Sequence, residues 1–139
     1  MNTVEQAVLT VDASPERVRG LLLDPLALPG WNPAFHSIDG PPEAAAGQEY
    51  RITVRPGLSG HLIYKDIGPD LIVTAWQVPG FSEEGNWLLR RHGAQTIVRH
   101  DFKHTGPLAA LLSRAYRGVA GLRLERLART VAAKAAPVG

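Results

Sequence analysis

Histidine, carboxylate, tyrosine and arginine side chains, together with the backbone, must supply any chemistry in this protein, because its 139 residues include no cysteine. That composition excludes a disulfide framework, a thiol nucleophile, a cysteine-ligated zinc ion and an iron–sulfur cluster. The histidines, and the carboxyl and hydroxyl groups that could lie near them, are therefore the first candidates for a functional site.

His100 is the histidine with the clearest placement. It shares the parity of Val98 and Phe102 in a predicted strand, whereas Arg99 and Asp101 have the opposite parity. Charged side chains are costly to bury, so we expect His100 to point inward with its apolar neighbours. An inward histidine could act as a general acid or base. The alternative is a core histidine that a hydroxyl group or a water molecule satisfies.

A metal site is not predicted. His104 follows His100 by four residues, a spacing that pairs metal ligands on a helix but separates side chains by about 13 Å along a strand. The sequence contains no His-Glu-x-x-His motif and no third ligand in register. We therefore expect neither a metal ion nor a cofactor.

Two tyrosines and two glutamates are the other candidates. Tyr50 and Tyr64 could position or protonate a carbonyl or enolate oxygen; alternatively, each packs its ring and hydrogen-bonds its hydroxyl group. Glu83 and Glu84 are adjacent, so their side chains point apart along a strand or loop. We predict a solvated edge or a loop at the mouth of a cavity for this pair, and no two-carboxylate catalytic site.

The charge distribution argues against an anionic partner. The formal net charge is +2 and the isoelectric point is about 9.3, but the excess lies in one segment and the rest of the chain is formally acidic. Residues 108–136 contain one acidic residue, Glu125, and six basic residues: Arg114, Arg117, Arg123, Arg126, Arg129 and Lys134. We interpret these as a solvated helix face and predict no nucleic-acid partner, since no phosphate loop or nucleic-acid motif accompanies them.

The chain is predicted to be one α+β domain over residues 1–139, because no repeat or linker divides it. It shows no signal peptide and no apolar run long enough to span a membrane, which predicts a cytoplasmic protein without stable membrane insertion. Predicted strands cover 3–11, 48–55, 60–67, 71–78, 84–91 and 95–104, with a short one near 37–39; helices begin at Ser14-Pro15, around 26–28 and at 107, the last running to 135.

Strand parity suggests which side chains face the interior. Tyr50 and Ile52 alternate with charged or polar residues and should point inward. Leu62 and Tyr64 compete with His61 and Ile63 for the inner face; we favour the first pair, although a bulge could serve both. The orientations of Trp76 and Asn86 stay open. Plausible walls at the mouth or on the helix side are Trp31, Phe35 and Tyr116. In the last helix, Leu111 and Val119 share an apolar stripe, which gives way to a second, rotated stripe at Gly118 to Gly121; the two glycines there allow a bend or close packing on the sheet.

Four short stretches mark the ends of these elements: Ala13-Ser14-Pro15-Glu16-Arg17-Val18, Asp24-Pro25, Trp31-Asn32-Pro33 and Gly106-Pro107-Leu108. On these stretches and the order of elements, the chain resembles the helix-grip superfamily of START and Bet v 1-like (SRPBCC) proteins, and within it the polyketide cyclase/dehydrase-like proteins. The resemblance implies a curved antiparallel sheet wrapped around a long C-terminal helix, with two short helices after the first strand. It also implies a deep, mostly apolar cavity between the sheet and that helix.

The resemblance implies a protein that binds a hydrophobic small molecule, with a cofactor-free aldol cyclisation or dehydration as its reaction. His100 would then shuttle a proton while Tyr64 holds an oxyanion. A non-catalytic carrier or sensor of a lipid, isoprenoid or aromatic metabolite is the alternative. The third alternative is a regulatory module that binds a partner protein, which a collapsed cavity would favour. We expect the protein to be a monomer or a homodimer. The predicted ligand-binding residues are Trp31, Phe35, Tyr50, Ile52, Leu62, Trp76, Trp87, Leu89, Val98, Phe102, Tyr116 and Val119.

Overall fold

Alternating apolar and polar residues produce seven strands in a computed structural model, which describes residues 3–55 and 57–135. The pair Pro56-Gly57 predicts a turn, and Pro56 lies outside the described residues. In chain order the elements are β1 (Thr3–Val11), α1 (Pro15–Leu22), a 3₁₀ turn (Pro25–Ala27), α2 (Leu28–Trp31), β2 (Phe35–Asp39), β3 (Glu49–Val54), β4 (Leu58–Ile67), β5 (Leu71–Val78), β6 (Phe81–His92), β7 (Gln95–Thr105), α3 (Ala109–Leu112) and α4 (Val119–Ala135).

The strands form a single sheet in the order β1-β7-β6-β5-β4-β3-β2, and every neighbouring pair is antiparallel. One face of the sheet is buried beneath α4, which packs mainly against β1 and β7, while α1 and α2 close the remaining side. This arrangement confirms the predicted α+β class with a sheet around a C-terminal helix. Within the part of the chain that the structure describes, no helix has the length and apolar character needed to cross a membrane.

The inner face follows the parity that the sequence predicted. Leu62 and Tyr64 are buried, whereas His61 is exposed and Ile63 is half-buried on the outer face. A bulge does occur in β4, since Tyr64 pairs with Thr74 while Asp66 pairs with Val73. It lies beyond the contested residues and does not bring His61 inward.

The predicted start of β6 is wrong by three residues, and this matters for the site. The strand begins at Phe81 instead of residue 84, directly after the turn at Gly80, whose φ of 81° suits glycine. Glu83 therefore lies within the strand. Its parity matches that of Phe81 and Trp87, so its side chain points to the inner face.

The long helix predicted from about residue 107 to 135, with a possible bend at Gly118 to Gly121, is in fact two separate helices. Helix α3 ends at Leu112, and α4 begins only at Val119, after Gly118 with a φ of 80° that no α-helix contains. As a result Leu111, expected on a buried stripe, is 76% exposed. Tyr116 lies in the segment between the helices and is half-buried, as is Val119.

The α1 prediction is confirmed, and the next helical piece is longer than expected. Ser14 caps α1 by accepting a hydrogen bond from the Arg17 backbone N–H. Helix α1 contacts α4 and buries Val18, Leu21 and Leu22. The short helical piece predicted around residues 26–28 consists of the 3₁₀ turn and α2, and it extends to Trp31. It ends where Asn32, which precedes a proline, becomes extended.

Candidate functional site

A buried carboxylate forms the centre of a polar cluster between the sheet and α4. Glu83 accepts hydrogen bonds from both terminal nitrogens of Arg123, each at 2.9 Å. Its oxygens also lie 2.8 Å from His104 Nε2 and 3.0 Å from Trp76 Nε1. The four hydrogen bonds occupy all the lone-pair positions of the carboxylate.

The surroundings keep Glu83 ionised. Burial alone would raise its pKa, but the charge of Arg123 and the hydrogen bonds from His104 and Arg123 lower the pKa to about 2. Because an ionised carboxylate only accepts hydrogen bonds, His104 donates through Nε2. Glu83 and Arg123 thus form a buried ion pair of fixed, bidentate geometry.

His100 is joined to this pair as a neutral imidazole. Its Nδ1 lies 3.0 Å from the backbone oxygen of Asn86, which can only accept, so Nδ1 carries the proton. Its Nε2 lies 3.2 Å from Nη1 of Arg123 and accepts from it. Burial and the neighbouring charge of Arg123 lower the pKa of His100 to about 3. The ring also stacks on Trp87, with centroids 3.6 Å apart.

Three elements bring these groups together. Alternation along β7 directs His100 and His104 to the inner face, and the β6–β7 register sets Glu83 opposite His104. Arg123 lies three residues after buried Ala120 and four before buried Leu127, so helical periodicity places it on the face of α4 that covers the sheet.

Aromatic rings surround the polar cluster. The Arg123 guanidinium carbon lies 4.8 Å from the centroid of the Phe102 ring, in cation–π geometry. Tyr116, from the segment between α3 and α4, packs against Phe81 and against His104, with centroid separations of 5.4 and 4.4 Å. Burial and the charge of Glu83 raise the pKa of Tyr116 to about 12. The cluster is thus closed off from solvent on the side of the helix break.

The two tyrosines predicted as oxyanion holders are engaged in internal hydrogen bonds. The Tyr64 hydroxyl donates to the backbone oxygen of Leu22 at 3.0 Å, and burial raises the pKa of Tyr64. The Tyr50 hydroxyl donates to the backbone oxygen of Glu43 at 3.1 Å, and burial raises its pKa as well. Both hydroxyls therefore help to fasten loop or helix backbone to the sheet.

The interior cavity is nearly filled, so the expected deep cavity is not open in this structure. Its volume is about 10 Å³, roughly what one water molecule requires. Large rings, among them three tryptophans, occupy the space that a ligand would need. The cavity is lined by Leu22, Leu28, Trp31, Asn32, Phe35, Leu62, Tyr64, Ile72, Thr74, Trp76, Glu83, Trp87 and Arg123.

The structure brings only some of the predicted ligand-binding residues to this cavity. Trp31, Phe35, Leu62, Trp76 and Trp87 line it, and so does Tyr64, predicted as catalytic. The others are in the core or at the helix break without lining it: Tyr50, Ile52, Leu89, Val98 and Phe102 are buried, and Tyr116 and Val119 are half-buried.

Three residues at the heart of the cluster were missed from the sequence. Glu83 was expected at a solvated edge and Arg123 on a solvated helix face, yet both are almost fully buried because each neutralises the other. His104 was not expected among apolar side chains, although it shares the parity of His100. Two signals in the sequence could have found them. His104 shares the parity of the inward His100 in β7, and Arg123 lies on the same face of the last helix as Leu127.

Orientations left open from the sequence are resolved. Trp76 points inward, where its indole N–H binds Glu83. The Asn86 side chain points outward and donates to Asp101 at 2.7 Å. His61 lies on the outer face, 3.4 Å from Glu49. In residues 3–55 and 57–135, no group of three or more His, Asp or Glu side chains is arranged to hold a metal ion.

Three buried polar atoms have no hydrogen-bond partner among the described residues: Trp31 Nε1, Arg123 Nε and His104 Nδ1. Such atoms are uncommon, because a buried polar group without a partner is destabilising. Trp31 and Arg123 both line the small cavity, whereas His104 does not.

Comparison with solved structures identifies the fold. The chain is similar to the ZhuI aromatase/cyclase from Streptomyces sp. R1128, with a TM-score of 0.83 and 15% identity over 100% of this chain and 99% of that one. It is also similar to norcoclaurine synthase from Thalictrum flavum, in a point mutant bound to a transition-state analogue (TM-score 0.72, 14% identity, 98% of both chains). A conserved protein from Geobacillus kaustophilus gives a TM-score of 0.71 at 18% identity, covering 96% of this chain and 97% of that one.

These likenesses confirm the helix-grip fold shared by START and Bet v 1-like proteins. At 14–18% identity they show the fold alone. No protein-family model matches the sequence, and no curated protein matches it.

Proposed function

We propose that this protein binds a hydrophobic small molecule between the inner face of the sheet and α4. The observation that carries the proposal is the enclosed cavity, which is lined largely by apolar and aromatic side chains and ends at the buried Arg123–Glu83 pair. Such a combination of apolar walls and a few fixed polar groups is typical of small-molecule sites. The fold likeness supports it, since norcoclaurine synthase has been crystallised with dopamine and hydroxybenzaldehyde, two small aromatic molecules.

Binding requires the cavity to widen, because about 10 Å³ accommodates no more than a water molecule. Trp31 belongs to α2, a helix of four residues, and not to the hydrogen-bonded sheet. It can therefore move without breaking a strand ladder. We propose the segment from Pro25 to Trp31 as the part that moves when a ligand enters.

The test uses prodan, a neutral naphthalene ketone whose emission shifts to the blue in apolar surroundings. Thr74 lines the cavity, and Val73 next to it faces the outer side of the same strand. We expect saturable, blue-shifted binding to the wild-type protein. Thr74→Ile, which fills the remaining space, should weaken binding by about tenfold, whereas the matched control Val73→Ile should leave it unchanged.

Two results would contradict the proposal. One is the absence of saturable binding to the wild-type protein under conditions in which circular dichroism shows it folded. The other is equal binding to Thr74→Ile and Val73→Ile, which would place the probe on the surface. Native mass spectrometry of gently purified protein adds an independent readout, because a retained small molecule would appear with its mass.

A cofactor-free cyclase or dehydratase is the finer proposal, supported by Tyr64 at the cavity wall and by His100 one hydrogen bond away from Arg123. In that role His100 would have to exchange its hydrogen bond with Arg123 for one with the substrate. Its lowered pKa of about 3 makes it a weak base at neutral pH, which favours binding over catalysis in the ligand-free state. Incubating the retained ligand with the protein distinguishes the two, since a carrier or sensor leaves it chemically unchanged.

The near-absence of free volume supports a second candidate, a regulatory module that binds a protein partner and holds no ligand. A protein that stays bound through size-exclusion chromatography, together with a lack of prodan binding, would favour this candidate. Prodan binding that Thr74→Ile abolishes would rule against it.

A further inference from the structure

Two residues that line the same small cavity each carry an unpartnered hydrogen-bond donor. Nε1 of Trp31 and Nε of Arg123 are buried, and no acceptor among the described residues reaches either of them. Both residues are almost completely buried. An indole nitrogen and a guanidinium nitrogen only donate, so any group that satisfies them must be an acceptor.

The rest of the cluster makes these two donors exceptional. The Glu83 carboxylate has four hydrogen bonds, and both ring nitrogens of His100 have partners. Among the other polar atoms of the cluster, His104 Nδ1 also lacks a partner within the described residues, but His104 does not line the cavity. Two unpartnered donors on residues that line one small cavity have the composition of a site prepared for an acceptor.

We propose that the bound molecule carries a neutral carbonyl oxygen that accepts hydrogen bonds from Trp31 Nε1 and Arg123 Nε. A carbonyl oxygen has two lone pairs and so matches two donors. An anion is not required, because Glu83 already balances the charge of Arg123. An amine is disfavoured, because its N–H groups would face donors. The inference rests on the proposed function and goes beyond it by naming the polar group of the ligand.

One water molecule is the competing occupant. The cavity volume of about 10 Å³ suits it, and its oxygen could accept both hydrogen bonds. The ligand carbonyl would replace such a water as the apolar part of the ligand displaces the side chains around it. If the water instead stayed in place, a carbonyl group on the ligand would bring no advantage.

The experiment compares 1-tetralone with tetralin, which has the same two rings but no oxygen, by isothermal titration calorimetry. Each compound is titrated into the wild-type protein, Trp31→Phe and Trp87→Phe. Trp31→Phe removes the unpartnered donor and keeps an aromatic ring. Trp87→Phe makes the same chemical change in another wall of the cavity, and its indole nitrogen is not one of the buried unpartnered atoms. Arg123 is left intact because Glu83 depends on it.

The measured quantity is the ratio of the tetralin Kd to the tetralone Kd in each protein. Differences in the hydration of the two probes cancel when this ratio is compared between proteins. We expect the ratio to fall by about fivefold in Trp31→Phe, the size expected for one buried hydrogen bond, and to stay within about twofold in Trp87→Phe.

The outcomes separate this inference from the proposed function. If both compounds bind and the ratio is the same in all three proteins, the carbonyl contact is disproved while ligand binding stands. An equal fall in both variants would also overturn it, because a general change of shape would then be the cause. If neither compound binds to folded wild-type protein, the inference and the proposed function fail together.

Discussion

The two halves of the interior are equally buried but are held together differently. Beneath β3 and β4 the core consists of apolar and aromatic side chains such as Ile52 and Leu62. Beneath β6 and β7 it contains Glu83, His104 and Arg123, joined by hydrogen bonds. Packing depends on total volume and tolerates many side chains, whereas a buried ion pair requires both partners in one geometry.

The contrast suggests different contributions to a binding site. The polar half joins β5, β6, β7 and α4 through four hydrogen bonds to one carboxylate, which fixes how α4 is rotated over the sheet. The apolar half offers area for hydrophobic contact but few directional interactions that would orient a ligand. We infer that the apolar half would supply affinity for a ligand and the polar half its orientation.

The largest effect is expected from removing one member of the ion pair. Arg123→Met keeps most of the side-chain volume but leaves Glu83 charged and buried without its cation. We expect a loss of about 3–5 kcal/mol in the free energy of unfolding, measured by urea denaturation with circular dichroism.

The control for Arg123→Met is the double variant Glu83→Gln/Arg123→Met, which removes both charges. It should recover at least about 2 kcal/mol of what Arg123→Met loses, because no uncompensated charge remains buried. If Arg123→Met cost less than about 1 kcal/mol, or if the double variant were no more stable, the polar half would not differ from ordinary core.

In the apolar half, Leu62→Ala should cost about 2–4 kcal/mol, because it leaves a cavity beside the existing one. Unlike the loss in Arg123→Met, this loss should not be recovered by changing one partner, since packing contacts are spread over many neighbours. Ile63→Ala, one residue further along β4 on the outer face, is the matched control and should cost about 1 kcal/mol or less. Equal losses in both variants would contradict the assignment of faces.

The apolar half and the inward position of His100 could be predicted from the sequence, and the Glu83–Arg123 pair could not. Strand parity identified Tyr50 and Leu62 because apolar side chains in alternation have one favourable face. Glu83 and Arg123 are charged, and parity or helical spacing alone assigns such residues to solvent. Their burial depends on pairing across 40 residues, which one sequence does not reveal. The change of apolar stripe at Gly118 to Gly121 indicated a bend or close packing, but it did not reveal that the helix ends there, because a glycine is compatible with a helix as well as with its end.

Acid should destabilise the polar half in two steps. The pKa of His100 is lowered to about 3 by burial and the charge of Arg123, so between pH 6.5 and 3 the unfolded chain binds a proton that the folded chain does not. Stability therefore falls as pH decreases through that window. Glu83, with its pKa lowered to about 2, adds a loss in the same direction below pH 4.5. Each of the two groups changes the free energy of unfolding by at most about 1.4 kcal/mol per pH unit within its own window.

His100→Gln isolates the upper step, because glutamine can still donate and accept but does not titrate. Urea midpoints measured from pH 7 to pH 4.5 should decline more steeply for the wild-type protein than for His100→Gln. Parallel curves for the two proteins would mean that His100 is not held neutral by its surroundings.

The smallest change in stability is expected for Glu84, whose carboxylate is adjacent in sequence to that of Glu83. Glu84 follows Glu83 in β6 but points to the outer face, where it contacts Lys65 and its side chain is 43% exposed. Exposed ion pairs contribute little, because water screens both charges and holding two long side chains costs entropy. Glu84→Gln should therefore change the free energy of unfolding by about 0.5 kcal/mol or less, whereas Glu83→Gln should cost several times more by leaving Arg123 uncompensated. Similar losses for the two substitutions would contradict the assignment of Glu83 to the buried ion pair and of Glu84 to the exposed face of β6.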